Sequence, residues 1–427
     1  MYKVIVISFL LLSLAPVIAQ EINPEYEVIA NPMQPYMLYY KVIQEPESFY
    51  SPGDSVNLKI YLKNIGDKAI PILYIVADLS QGCLQTNQNC YNLFYEKKIT
   101  TNLDYGEEKN ISLSIDLPKN LRNESYVISL YIRSPRYDIF GIHSSYQPVR
   151  QYNFSVSGNG NFPKAKILPE MSSFAMATEQ RGPATYKNVK VEGYIGIKNL
   201  LNEEFKGRVK IYSCPFDDQG YFPCEYLREY DISIPANGKE GFVYEITTNN
   251  KTDAYALRFV LVDSQGNINS IWKSRYIVSG EDASIIALIP NKLRYKTNEK
   301  AKFHVYITGP YFPSLVKKSE NVSVKIIVHK DGREVYKAIK TESFNQDKLK
   351  ELIFSFVVSE NLNNYKVCAQ TYNQEILDEI CYSIEKEITP VQKPITEQKE
   401  ENILYVVAVI VSLILISLLG YLFMKRK

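Results

Sequence analysis

The residues with most chemical potential are six cysteines, and they fall as near neighbours: Cys83/Cys90, Cys214/Cys224 and Cys368/Cys381. Thiolates at such spacings either ligate a metal or oxidise to disulfides. No C-x-x-C spacing occurs and no histidine lies beside any pair, which argues against zinc. Several connectivities are open to six cysteines, but their clustering favours pairing each with its neighbour. The three histidines, His143, His304 and His329, stand alone in sequence, so neither a His-based metal site nor a triad is expected. There is no H-E-x-x-H, G-x-S-x-G, phosphate-binding glycine loop or EF-hand loop. Asp217-Asp218 beside Gly220 offers two carboxylates without further ordered ligands, which reads as a solvated turn. A dispersed carboxylate pair of the glycosidase kind leaves no sequence signature. The expectation is a protein that is not an enzyme and holds no cofactor and no metal. The remaining chemistry is modification: N-x-S/T triplets at Asn110, Asn123, Asn153, Asn250 and Asn321 are glycosylation acceptors if the chain is exported.

Both ends suggest export. Lys3 precedes the apolar run Val4 to Leu14, and Val17-Ile18-Ala19 supplies small or aliphatic residues for a signal peptidase. Residues 1–19 therefore read as a signal peptide cleaved between Ala19 and Gln20. Ile403 to Met424 carries no charge, and as a helix at ~1.5 Å per residue it would reach roughly 33 Å, enough to cross a bilayer. Glu400 and Glu401 flank it on one side, and Lys425, Arg426 and Lys427 on the other. Positive charge stays in the cytoplasm, so the expected form is a single-pass type I membrane protein with its N-terminal bulk outside and residues 425–427 as a cytoplasmic tail. In that setting disulfides persist, and the cysteine pairs become staples.

The elements between these ends read as strands. Val56 to Asn64 alternates apolar and polar residues, as do Asn110 to Leu117, Tyr126 to Ile132 and Val322 to Val328, with Gly, Asn, Asp and Pro between such runs. No stretch between residues 20 and 400 has a sustained helical period. Such strands bury one face and leave the other wet. An internal repeat gives the domain plan. Lys63-Asn64 and Lys198-Asn199 each close an alternating strand and are followed by a cysteine pair. The strand from Ser125 resembles the one from Asp253, and the units end on FSVSG at Gly158 and YIVSG at Gly280. The expected fold is all-β, with three tandem Ig-like β-sandwich domains at 36–158, 162–280 and 283–388 and one C-terminal transmembrane helix at 403–424. Residues 20–35 form an N-terminal extended segment. Residues 389–402, with two prolines and no apolar heptad, form a stalk linker. Placed end to end, three such domains would reach about 100 Å, counting ~3.3 Å per strand residue plus loops.

Charge and aromatic content bear on partners. Lys+Arg total 49 against 47 Asp+Glu, a net of +2, which lacks the one-sided field that nucleic-acid binding requires. Tyr and Phe cluster with Pro around Pro35 to Tyr40, Tyr221 to Tyr226 and Pro310 to Pro313. These are either contact surface for a partner or plugs at the ends of sandwiches and their joints. The stretch before Ser48 is the leading candidate for a partner-binding segment.

The turn and strand SPGDSVNLKIYLKNIGD, Ser51 to Asp67, is similar to the opening of Ig-like repeats in archaeal surface proteins. The whole plan of signal peptide, stapled sandwiches, glycosylation triplets, terminal helix and short basic tail resembles the small membrane-anchoring S-layer subunit, S-layer protein B, of crenarchaea such as the Sulfolobales. That resemblance implies a structural cell-surface glycoprotein, a stalk whose helix holds the lipid bilayer and whose distal domain grips the large S-layer lattice subunit. Homo-oligomerisation stays open. The competing readings are a surface receptor or adhesin, and an accessory subunit of a membrane enzyme or transporter.

Overall fold

The computed structural model describes residues 27–30, 37–82, 92–134, 148–174, 178–179, 182–215, 224–310, 318–345 and 348–384. Met1–Ile384 forms one compact unit, and Glu385–Lys427 a second that lies outside the described residues. The described residues are all-β. The N-terminal third contributes β1 (Glu27–Ala30), β2 (Met37–Gln44), β3 (Phe49–Tyr50), β4 (Ser55–Asn64), β5 (Ile70–Gln81), β6 (Asn92–Leu103), β7 (Glu108–Asp116), β8 (Ser125–Arg133) and β9 (Arg150–Val156). The middle third contributes β10 (Ala165–Phe174), β11 (Thr178–Glu179), β12 (Gly182–Thr185), β13 (Lys190–Asn199), β14 (Phe205–Pro215), β15 (Glu225–Ile234), β16 (Lys239–Thr247), β17 (Asp253–Asp263) and β18 (Ile268–Val278). The last contributes β19 (Ser284–Pro290), β20 (Lys300–Thr308), β21 (Lys318–Lys330), β22 (Arg333–Asn345), β23 (Leu349–Val357), β24 (Tyr365–Asn373) and β25 (Glu375–Ile384).

These strands make three β-sandwiches of one connectivity. In the first, β1-β2-β4-β7 faces β6-β5-β8-β9-β3; in the second, β10-β13-β16 faces β15-β14-β17-β18; in the third, β19-β20-β23 faces β22-β21-β24-β25. Short β3 runs parallel to β9, and β12 runs parallel to β18, so the first two sandwiches repeat even this edge pairing. Alternation explains the strands that face water. On β4, Val56, Leu58, Ile60 and Leu62 point into the first core while Ser55, Asn57 and Lys59 stay exposed.

The repeated Lys-Asn pairs close the same turn. Asn64 is fully buried, and its Nδ2 donates to the carbonyls of Lys68 (2.8 Å), Asp104 (3.1 Å) and Leu103 (3.4 Å), while its Oδ1 accepts from Gly66 N. Asn199 does the same with the carbonyls of Glu203, Pro235 and Ile234, and with Leu201 N. Backbone groups that a turn would leave unpaired in the interior are thereby satisfied. A second shared device is a tyrosine opening the strand that follows the sandwich's corner. The Tyr126 hydroxyl donates to Arg122 O and the Tyr255 hydroxyl to Lys251 O, each four residues upstream.

Two expectations need correction. Several strands have no wet face: β8, β17 and β19 are buried nearly throughout, as is the middle of β5. The sandwiches are also not strung end to end. Ile286, Ala287, Ile289 and Tyr306 of the third sandwich belong to the core cluster of the first, and Ala69 and Ile72 of the first pack into the core of the third. The cause is the apolar run Ile285 to Pro290 of β19, which has one side for its own core and a second that needs cover. The segment before Ser48 is likewise part of the fold. Leu38 and Tyr40 lie in the first core, and β1 pairs with β2 from Glu27↔Tyr40 to Ala30↔Met37, which leaves β2 no free edge for a partner along those residues.

Candidate functional site at the joints between sandwiches

The joint between the first two sandwiches begins as a sheet contact. Leu93 of β6 pairs with Ile271 of β18, so the two larger sheets run on as one. Beside that seam Glu96 is buried between Arg258 of β17 and Lys273 of β18 and ion-paired to both. Burial alone would raise the Glu96 carboxyl, but the two cations prevail and hold it below the usual carboxylate range. A carboxylate in such a place must keep its partners, because an unpaired buried charge is strongly destabilising.

Further polar and aromatic contacts extend the seam. Asn92 donates to Asn269 O at 3.0 Å, and Asn269 Oδ1 accepts from Lys164 N at 2.6 Å. Lys164 Nζ in turn pairs with Asp263 at 2.8 Å, and Asp263 also accepts from the backbone of Gln265 and Asn267. Burial works against the Asp263 carboxylate, yet Lys164 and Asn267 keep its pKa lowered. Arg122 reaches across to the carbonyls of Pro163 (3.2 Å) and Leu200 (2.9 Å), and the ring of Phe94 meets Phe162 edge-on at 5.5 Å.

The joint between first and third is apolar with a polar border. Around the buried Ile286 and Ile289, Lys68 Nζ donates to the Tyr306 hydroxyl at 3.3 Å. Glu351 sits 2.6 Å from His304 Nδ1. Burial depresses the His304 pKa, against the hydrogen bond it donates to Glu351 in its charged form, so the imidazole is held neutral over a wider range than a free histidine. Leu293 N donates to Asp104 at 3.4 Å. Between second and third, Lys187 and Glu375 form an exposed ion pair at 3.3 Å, worth little by itself.

The described residues also contain a polar groove of about 560 Å³ at the open edge of the second sandwich, between β15 and β16. Asn188, Glu225, Arg228, Glu245, Thr247 and Asn250 line it. The backbone of Glu245 is tied by Tyr230, whose hydroxyl accepts from Glu245 N (3.0 Å) and donates to Glu245 O (3.3 Å).

The residues singled out in the sequence distribute as follows. Cys214–Cys224 is a disulfide joining the end of β14 to the start of β15, and Cys368–Cys381 is a disulfide between directly opposed residues of β24 and β25. Glu379 lies near the second bridge, but both sulfurs there are bonded to each other. Asn110, Asn123, Asn153, Asn250 and Asn321 are all exposed. Cys83, Cys90, His143, Asp217, Asp218, Ala19, Gln20, the apolar run 403–424 and Lys425, Arg426 and Lys427 lie outside the described residues. Among the described residues no helix is long and apolar enough to cross a membrane. Tyr226 is exposed and meets Tyr212 edge-on at 5.7 Å.

Sequence reasoning missed Glu96, Arg258 and Lys273. The readable signal was Arg258 itself, one charge inside the apolar run of β17, a strand whose residues all lie buried apart from the half-buried Asp253.

No protein-family model matches the chain, and no curated protein is similar to it. Among solved structures, trypsin-activated alpha-2-macroglobulin from Escherichia coli is 13% identical with a TM-score of 0.37, over 86% of this chain and 25% of that one. A Salmonella alpha-2-macroglobulin variant is 11% identical with a TM-score of 0.30, over 84% and 24%. A beta-glucosidase from Listeria innocua is 18% identical with a TM-score of 0.21, over 29% and 16%. The chain thus spans about a quarter of the macroglobulins' length, and likeness at these TM-scores says nothing of function.

Proposed function

We propose that the protein is a non-enzymatic cell-surface tether: three Ig-like sandwiches held outside the cell by the apolar run 403–424, presenting a rigid body to an extracellular lattice. The supporting observation is the construction of the joints. Sandwiches one and two share a sheet across a buried ion cluster, and sandwich three buries apolar side chains in the first. A tether under tension needs joints that resist bending, and buried contacts of this kind supply that where flexible linkers would not. The Ig-like reading draws on the common strand order and on the tyrosines Tyr126 and Tyr255 that bond back across their corners.

The partner on this reading is the large subunit of an S-layer, as the resemblance in the sequence implies, and the glycan acceptors face the solvent around it. The groove beside β15 and β16 is the feature that would serve a receptor, the second reading. Truncation before Ile403 separates them from a tether. The shortened protein is expected in the medium as a folded, disulfide-bonded body, with the lattice detaching from cells that carry only this form. A lattice that stays attached in those cells would refute the tether.

A further inference from the structure

We propose that the groove of the second sandwich is a saccharide cradle, and that its occupant is the glycan attached to this chain's own Asn250. The inference rests on the surface reading above, since glycosylation requires export.

The acceptor and the groove coincide. Asn250 is one of the groove's lining residues, it is exposed, and it heads the triplet Asn250-Lys251-Thr252. A glycan joined to Asn250 Nδ2 therefore begins at the groove wall. The residues around it are held still. Asn249 Oδ1 accepts from the hydroxyls of Ser213 (2.9 Å) and Tyr276. Thr248 Oγ1 donates to Tyr186 O at 2.7 Å and accepts from Val189 N at 3.0 Å. The bonds of Thr248 and Asn249 anchor the turn, and Asn250 and Lys251 remain exposed on it.

The lining suits a sugar. A volume of about 560 Å³ falls in the range of small-molecule clefts, and beside the apolar Leu227 and Ile246 the walls carry carboxylates from Glu225 and Glu245, the Arg228 guanidinium and the Asn188 amide. Hydroxyl-rich rings take hydrogen bonds of both senses, and these groups offer both. None of the other four acceptors lines this groove.

The donor for the attachment is a lipid-phosphate-linked oligosaccharide. The Nδ2–C1 bond forms as the C1–O bond to the lipid phosphate breaks; the amide gives up one proton and the phosphate leaves with the bonding pair. Thr252, which completes the triplet, is buried in the folded sandwich, so the transferase must read it before this part of the chain closes.

The test uses the full-length protein from its own membranes, treated with exoglycosidases in the native state and after denaturation, with glycopeptides quantified by mass spectrometry. Trimming at Asn250 is expected to be about tenfold slower than at Asn110 in the native protein and equal after denaturation. Arg228→Ala with Glu225→Ala, both exposed positions, is expected to abolish the protection without changing the melting temperature. An unmodified Asn250 beside occupied Asn110, or equal native trimming at the two sites, overturns the cradle and leaves the surface reading standing. Absence of glycan at all five acceptors would likewise overturn the cradle, whereas the surface reading falls only if truncation before Ile403 leaves the lattice attached.

Discussion

The first two sandwiches and the third share one strand order but close their turns differently. Asn64 and Asn199 each tie down a set of backbone carbonyls at the end of the second strand of the sandwich. In the third sandwich the matching position after β20 is Gly309. There the backbone of Asn345 comes so near that a Cβ on Gly309 would lie 2.2 Å from its carbonyl oxygen. Main chain has taken the space of the asparagine side chain. The tyrosine device changes in step. Tyr365 opens β24 as Tyr126 opens β8 and Tyr255 opens β17, and it is equally buried, but its hydroxyl has no hydrogen-bond partner among the described residues. Compensation comes from outside the turn: the Cys368–Cys381 bridge joins the last two strands, and β19 leans on the first sandwich. The lesson is that one connectivity tolerates different locks so long as each buried backbone group finds a partner and each apolar face finds cover.

Four changes would break or sharpen this contrast. The largest effect is expected at the joint between sandwiches one and two. Glu96→Ala leaves Arg258 and Lys273 without their shared carboxylate and should cost about 3–5 kcal/mol. Calorimetry should then show the first two sandwiches unfolding apart while the joint of first and third is retained. Next, Asn64→Ala and Asn199→Ala should each cost roughly 2–3 kcal/mol in denaturant unfolding, because buried carbonyls lose their donor. Gly309→Asn should destabilise as well, since the side chain has no room, whereas equal tolerance at all three positions would erase the distinction.

Smaller effects follow at the tyrosines. Tyr126→Phe and Tyr255→Phe should each lose about 1 kcal/mol, and Tyr365→Phe close to nothing, because only the first two hydroxyls make a bond. The smallest concerns acid. Glu96 and His304 both have folded-state pKa values below their ordinary ones, so the unfolded chain binds more protons and stability falls with falling pH. The His304 contribution is complete above its ordinary 6.5 and fades below it; that of Glu96 is complete above its ordinary 4.5 and fades below that. Melting temperature against pH should therefore fall in two steps, the first below about pH 6.5 and the second below about 4.5. His304→Gln should remove only the first.

How far the sequence revealed this depended on which force set each feature. Strands such as β4 announce themselves through alternation, since one face meets water and one meets a core. The Lys-Asn repeat was visible because the turn needs that side chain in both copies. The joints were harder. Burial of both faces in β8 depends on what comes to rest against them, and a pattern such as YVISLYI looks the same whether Val127 and Ser129 meet water or protein. The run SIIALIP did carry a signal, an apolar residue on each face of one strand, but it does not say that the cover is the first sandwich. Pairing of Glu96 with Arg258 and Lys273 joins residues distant in the chain, and no spacing rule reaches that far. The groove is the same case, since Asn250 was legible as an acceptor while its walls come from β15, β16 and the turn at Asn188.

The most direct test of the tether is a count. Cell envelopes would be stripped of lipid with mild detergent and the protein quantified in the insoluble sheet that remains. Retention there, at a fixed and high ratio to one large surface protein, is the result the account predicts. Complete release into the detergent fraction at low abundance would contradict it.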